Sequence, residues 1–151
     1  MSGNGKTAND PTDIYTAVKN LTAGHTIYLL GGKYSLAQQI LIEDTNNGTA
    51  NAMKTIKPYN NAEVVFDFTA EGAANNNVRG IVLDGDYWHL YGFEITKAAD
   101  NGMLLGGSNN IIEMMVFNDN QDTGLQISRY KSTNTTIDTW PSYNLIKNCT
   151  S

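Results

Sequence analysis

The chain has 151 residues, a formal charge of −5 and only 17% charged side chains. That is length enough for one domain with a sizeable core, and too few cations to neutralise a phosphate backbone, so no nucleic acid partner is expected. No run approaches the length of a membrane span and the amino-terminal MSGNGKTANDP has no apolar signal core, so no membrane partner is expected either.

Residues 1–9 are polar and glycine-rich and are expected to be disordered. Over residues 10–21 the apolar Ile14, Ala17, Val18 and Leu21 fall at i, i+3, i+4 and i+7, one face of a short helix. Asp10 suits its N-cap with Pro11 at the first helical position, and Asp13 lies near the positive end of the dipole. Ala23-Gly24-His25 then turns the chain into TIYLLGGKYSL, followed by QILIED, TIKPY and EVVFDF, each short and rich in β-branched or aromatic residues. The density of Asn and Gly between such runs predicts many tight turns.

The second half repeats. Gly80-Ile81-Val82-Leu83, Gly102-Met103-Leu104-Leu105 and Gly124-Leu125-Gln126-Ile127 stand in register, and the octets beginning at Trp88 and Asn110 follow the first two glycines at one spacing. The octet from Asn144 completes the third copy once an insertion of about residues 130–141 is set aside. Short strands with Gly and Asn corners and no helix between them predict an all-β fold, a parallel β-helix of several coils with a short capping helix. Coils about 4.8 Å apart would stack like on like: Ile81 on Met103 on Leu125, Leu83 on Leu105 on Ile127, Leu90 on Ile112 on Ile146, and Phe93 on Met115 on Cys149. Asn110 over Asn144 predicts an inward amide ladder for the corner backbone, with Trp88 closing it from above.

The phrases TIYLLGGKYSL, TIKPY, EVVFDF, RGIVLDGDYWHLYGFEI, DNGMLLGGSNNIIE, DTGLQIS and NLIKNCTS, in this order and spacing, resemble the amino-terminal half of pectate lyases of polysaccharide lyase family nine. The resemblance runs from about residue 26 to residue 151. It implies a right-handed parallel β-helix and kinship with secreted or periplasmic bacterial enzymes that cleave acidic, pectate-like polysaccharide by β-elimination. In that family the calcium-binding aspartates and the lysine base lie on later coils. The resemblance therefore implies that residues 10–151 are the N-terminal coils of a truncated helix, inactive alone, with calcium the cofactor of the parent enzyme and no catalytic residue carried over. The other reading is a non-catalytic carbohydrate-binding or assembly module. An uncapped last coil would in either case invite end-to-end self-association.

Elimination from a uronate removes the proton at C5, whose acidity rises when a cation neutralises the neighbouring carboxylate, and a base near its operating pKa takes the proton. Calcium takes six to eight oxygen ligands. Asp119 and Asp122, with Asp100 nearby, are the candidate metal residues, as acidic positions at the ends of two coils. Asp84 and Asp86 read as turn residues. Within and beside the insertion, Tyr130 and Trp140 offer flat surfaces to a sugar ring, and Arg129 and Lys131 offer cations to its carboxylates. The alternative is that Trp140 simply packs on the core. Lys54, Lys57 and Lys147 read as surface lysines, and His89 as an outward residue beside inward Leu90.

Overall fold

The structure, a computed structural model, describes residues 3–72, 78–131, 133 and 135–151. Three parallel sheets wrap one core, and each circuit of the chain visits them in turn. Sheet one holds β1 (Thr26–Leu29), β4 (Lys54–Pro58), β7 (Trp88–Tyr91), β10 (Ile111–Glu113) and β13 (Leu145–Lys147). Sheet two holds β2 (Gly32–Ser35), β5 (Val64–Asp67), β8 (Glu94–Thr96) and β11 (Val116–Asn118). Sheet three holds β3 (Ile40–Ile42), β6 (Ile81–Leu83), β9 (Met103–Leu105) and β12 (Leu125–Ile127).

The expected stacks are present. Ile81 lies on Met103 and Met103 on Leu125, Leu83 on Leu105 and Leu105 on Ile127, and Leu90 on Ile112 on Ile146. Val116 N–H donates to the Phe93 carbonyl and Thr150 N–H to that of Met115, which carries the row on to Cys149, partly buried against the core. Two circuits precede the visible repeat, with Ile27 on Ile56 and Ile56 on Leu90. Their longer connections hide the period.

The glycine corners exist because the coils are close there. A Cβ on Gly80 would stand 2.7 Å from the Gly102 carbonyl oxygen, and one on Gly102 2.8 Å from that of Gly124. Ile81 and Met103 N–H donate to those same oxygens at 3.0 and 2.9 Å. Other corners turn through the left-handed region, also in columns: Tyr87 (φ 58°), Asn109 (59°) and Tyr143 (56°) before sheet one, Met114 (54°) and Asn148 (54°) after it, Lys97 (59°) and Asp119 (50°) after sheet two. Asn and Asp tolerate that region better than most side chains, which suits Asn109, Asp119 and Asn148 to their corners.

Asn110 is fully buried. Its Oδ1 accepts from Trp88 N–H at 2.7 Å and its Nδ2 donates to the Gly85 carbonyl at 3.0 Å. Asn144 repeats both bonds one coil on, to Asn110 N–H at 2.9 Å and the Gly107 carbonyl at 2.9 Å. Trp88 caps this ladder, fully buried, with Nε1 donating to the Asn46 carbonyl at 2.6 Å.

Lys54 is not a surface lysine. It stands in register on Trp88, buried, its Nζ 5.4 Å from the indole centroid and 2.5 Å from Asn46 Oδ1. Burial pushes its ammonium pKa down. Asn46 Nδ2 in turn donates to the Val18 carbonyl at 2.9 Å, on the last turn of the helix. The buried amine thereby ties the helix to the first coils, satisfying a carbonyl that the helix end would otherwise leave open.

That helix, α1, spans Ile14–Asn20, beginning where its apolar spacing begins and later than a cap at Asp10 with Pro11 as first helical residue would place it. Asp13 is the N-cap, accepting from Thr16 N–H at 2.9 Å. Asp10 is engaged elsewhere, its Oδ2 accepting from Asn4 N–H at 3.1 Å. From Gly3 onward the chain before the helix lies in turns, with Gly3 N–H donating to the Pro11 carbonyl and Gly5 N–H to that of Asp10, both at 2.9 Å. Residues 1 and 2 lie outside the described residues. Among the described residues no helix is long and apolar enough to cross a membrane.

Candidate functional site

The corner that follows sheet three collects charge from several coils. β3 runs into Glu43 and Asp44, β6 into Asp84 and Asp86, and β12 into Arg129, Tyr130 and Lys131. Between them lie Gly106 and Gly107. A Cβ on Gly106 would be 2.7 Å from Asp84 Oδ1 and 3.1 Å from the Tyr130 Cβ, so the insertion closes down onto this corner. Lys131 Nζ reaches Asp44 Oδ2 at 2.5 Å, and that hydrogen bond raises the lysine pKa. Its charge is committed within the chain.

Asp84 lies beneath this pair. Its carboxyl is buried and its Oδ2 has no hydrogen-bond partner. Burial pushes its pKa up, Asp44 and Asp86 push the same way, and Lys131 offsets part of this. A carboxyl whose folded pKa is raised contributes stability at and below its ordinary value, and loses it as pH rises through the folded pKa. Asp84→Asn removes that penalty. Thermal melts should show a raised Tm at pH 7 and no gain below the ordinary value of 3.8; an unchanged Tm at pH 7 would count against a penalised carboxylate.

Trp140, at the end of a one-turn helix over Ile137–Thr139, is 47% exposed and stands outside the core cluster. Tyr143, at the corner entering sheet one, is 89% exposed.

Asp119 and Asp122 sit at the opposite corner, between β11 and β12, both exposed. The three residues of β12, about 10 Å of strand, part them from Arg129, Tyr130 and Lys131, so the structure does not join the two candidate groups. Asp122 N–H donates to the Asp100 carbonyl at 3.2 Å, which stacks it on a buried residue already engaged. Asp100 Oδ2 faces Arg79 Nε at 3.1 Å and Asn101 Nδ2 at 3.4 Å. Among the described residues no group of three or more His, Cys, Asp or Glu is placed to hold a metal ion. Among the described residues, the two exposed carboxylates of Asp119 and Asp122 supply fewer oxygens than the six to eight calcium takes.

The polar structure that sequence reasoning missed lies at that same corner and on the outer faces. Asn101 Nδ2 also donates to Gln126 Oε1 at 3.1 Å, and its Oδ1 accepts from Thr123 N–H at 3.1 Å. On sheet two, a hydrogen bond from Lys33, then those from Thr69, hold the Asp67 carboxyl far below the usual range. On sheet one, Glu113 binds His89 Nε2 and Lys147 Nζ, each at 3.0 Å. Register was the missing signal: KTIKP laid on WHLY would have shown which side chains share a face.

Comparison with known proteins agrees with this architecture. Residues 1–151 match the family model described as Pel9A-like, right handed beta helix region. Pectate lyase L of Paenibacillus polymyxa (strain SC2) is 42% identical over 132 residues, 87% of this chain and 29% of that protein. Pectate lyase L of Thermoclostridium stercorarium is 38% identical over 147 residues, 96% of this chain and 11% of that protein. The chain thus spans less than a third of either relative. The crystal structure of pectate lyase Pel9A superposes with a TM-score of 0.79 at 27% identity, covering 99% of this chain and 36% of that one. An alginate lyase from Paenibacillus sp. str. FPU-7 shares the fold, with a TM-score of 0.67 at 21% identity over 90% of this chain and 40% of that one. A match that runs through every circuit described above makes the chain a member of the Pel9A-like right-handed β-helix family, among whose relatives are pectate lyases.

Proposed function

We propose that residues 10–151 are the N-terminal coils of a calcium-dependent lyase that cleaves acidic, pectate-like polysaccharide by β-elimination outside the cell. The observation that carries this reading is the identity to pectate lyases along nearly the whole chain, joined to a coil stack that superposes on a pectate lyase. Calcium and the base would act from coils other than those described, and the 151 residues alone are expected to be inactive. Their part in the reaction is to set the register and stiffness of the solenoid on which the reacting groups stand.

The test is a chimera that joins residues 1–151 to the remaining coils of the Paenibacillus polymyxa relative. It should eliminate pectate at alkaline pH with calcium, read as a rise in ultraviolet absorbance, while the 151 residues alone give none. A folded chimera without activity, beside an active parent, would sink the reading.

The alternative, an assembly module, draws on a separate observation. Leu145 and Ile127 are 49% and 52% exposed, and Ile146, inward-facing in its stack, is 36% exposed. In the 151 residues by themselves these apolar side chains and strand groups are open to pairing. The isolated 151 residues should then associate end to end, and a monodisperse monomer in light scattering would argue against it.

A further inference from the structure

On the outer face of sheet one, a single column of side chains runs the length of the solenoid. Tyr28 lies beside Lys57; Ile56 on Leu90 places Lys57 next to Tyr91; Tyr91 is paired with Glu113 and Glu113 with Lys147. Five strands at the parallel spacing make a row of about 19 Å. Tyr28 is 54% exposed, with Lys57 Nζ 5.3 Å from its ring centroid. His89, in the next column, meets Tyr91 edge to face at 6.0 Å and shares Glu113 with Lys147.

Two features set this row apart. In a chain of net charge −5, it carries two lysines against one carboxylate, with a histidine beside them. From Tyr28 the row runs ring, cation, ring, carboxylate, cation at the spacing of the coils; Lys57 lies over a ring, whereas Lys147 is paired with Glu113 as Lys131 at the insertion is with Asp44 and Lys33 on sheet two with Asp67. A uronate chain offers the complement: apolar ring faces that lie against aromatic side chains, and a carboxylate on each sugar for the ammonium groups.

We propose that the outer face of sheet one is a docking surface for one stretch of acidic polysaccharide lying along the solenoid axis, its rings against Tyr28 and Tyr91 and its carboxylates on Lys57 and Lys147. This rests on the reading that the chain meets acidic polysaccharide, and adds a place where the polymer is held without being cut. Glu113 then limits the affinity, because it neutralises the Lys147 end of the row and repels the ligand.

Affinity electrophoresis of the 151-residue chain in gels containing polygalacturonate tests this, with dextran gels as the neutral control. The native chain should be retarded by polygalacturonate alone, and raising salt to about 0.3 M should abolish the effect. Lys57→Gln with Lys147→Gln should weaken retention roughly tenfold, Tyr28→Ala with Tyr91→Ala should weaken it several-fold, and Lys19→Gln on the helix should leave it unchanged. Glu113→Gln should strengthen retention, a gain that loss of fold cannot produce. Circular dichroism of each variant guards against unfolding. No retardation of the native chain, or equal retardation of all variants, overturns the docking surface. Either result leaves the lyase reading standing if the chimera is active, and an inactive chimera beside selective loss of retention separates the two the other way.

Discussion

Trp88→Ala is expected to lower stability by about 3–5 kcal/mol, a large share of the about 5–15 kcal/mol that holds a typical domain folded. The indole is fully buried at the head of the amide ladder, and its ring lies under the Lys54 ammonium. Removing it leaves a cavity, an unpaired Asn46 carbonyl and a buried cation without its aromatic partner. Urea titration followed by far-ultraviolet circular dichroism measures the loss. A cost under about 1 kcal/mol would mean that the first coils do not depend on this contact. Trp88→Phe should recover part of the loss, because it refills most of the volume without restoring the Nε1 bond.

A second large effect belongs to Asn110, and its contrast with Asn144 is the sharper test. Asn110→Ala strands the Trp88 N–H and the Gly85 carbonyl in a site closed to water, at about 1–3 kcal/mol for each group. Asn144→Ala breaks the same two kinds of bond one coil later. Asn144 is only half-buried, so water can replace part of what is lost, and the cost should stay near 1 kcal/mol. Equal losses in thermal or urea unfolding would show that the ladder is not stronger where it is drier.

These two residues also mark what could be read without coordinates. Asn110, Asn144 and the three corner glycines were legible because the coils from Gly80 onward are equal in length, or become so when one insertion is removed. The circuits through Ile27 and Ile56 were not, because long connections between β3 and β4 and between β5 and β6 destroy the period. Lys54 shows the cost of losing register. Strand side chains alternate between faces, so a one-residue uncertainty reverses inside and outside, and a ladder-position lysine passes for a surface one. Asp10 suited the N-cap by sequence, yet the helix is capped by Asp13, while Asp10 accepts a hydrogen bond from Asn4 instead. The candidate site was least legible. Lys131 finds Asp44 across 87 residues, a pairing that no local pattern announces, and Asp119 and Arg129 are parted by a strand whose direction only the fold supplies.

The left-handed columns carry a consequence for how such a chain can change. Corners such as Tyr87 and Met114 hold a backbone shape that their own side chains disfavour and that bonds to the next coil keep in place, Tyr87 N–H to the Ser108 carbonyl and Met114 N–H to that of Lys147. Removing one residue therefore slides every later corner off its support. Excising the 22-residue span that begins at Gly80 would instead set Met103 over Ile40 and Ile112 over Ile56, with like again meeting like. Lineages built this way should differ in length by complete windings, or by loops hung outside them, and seldom by single letters within a wall.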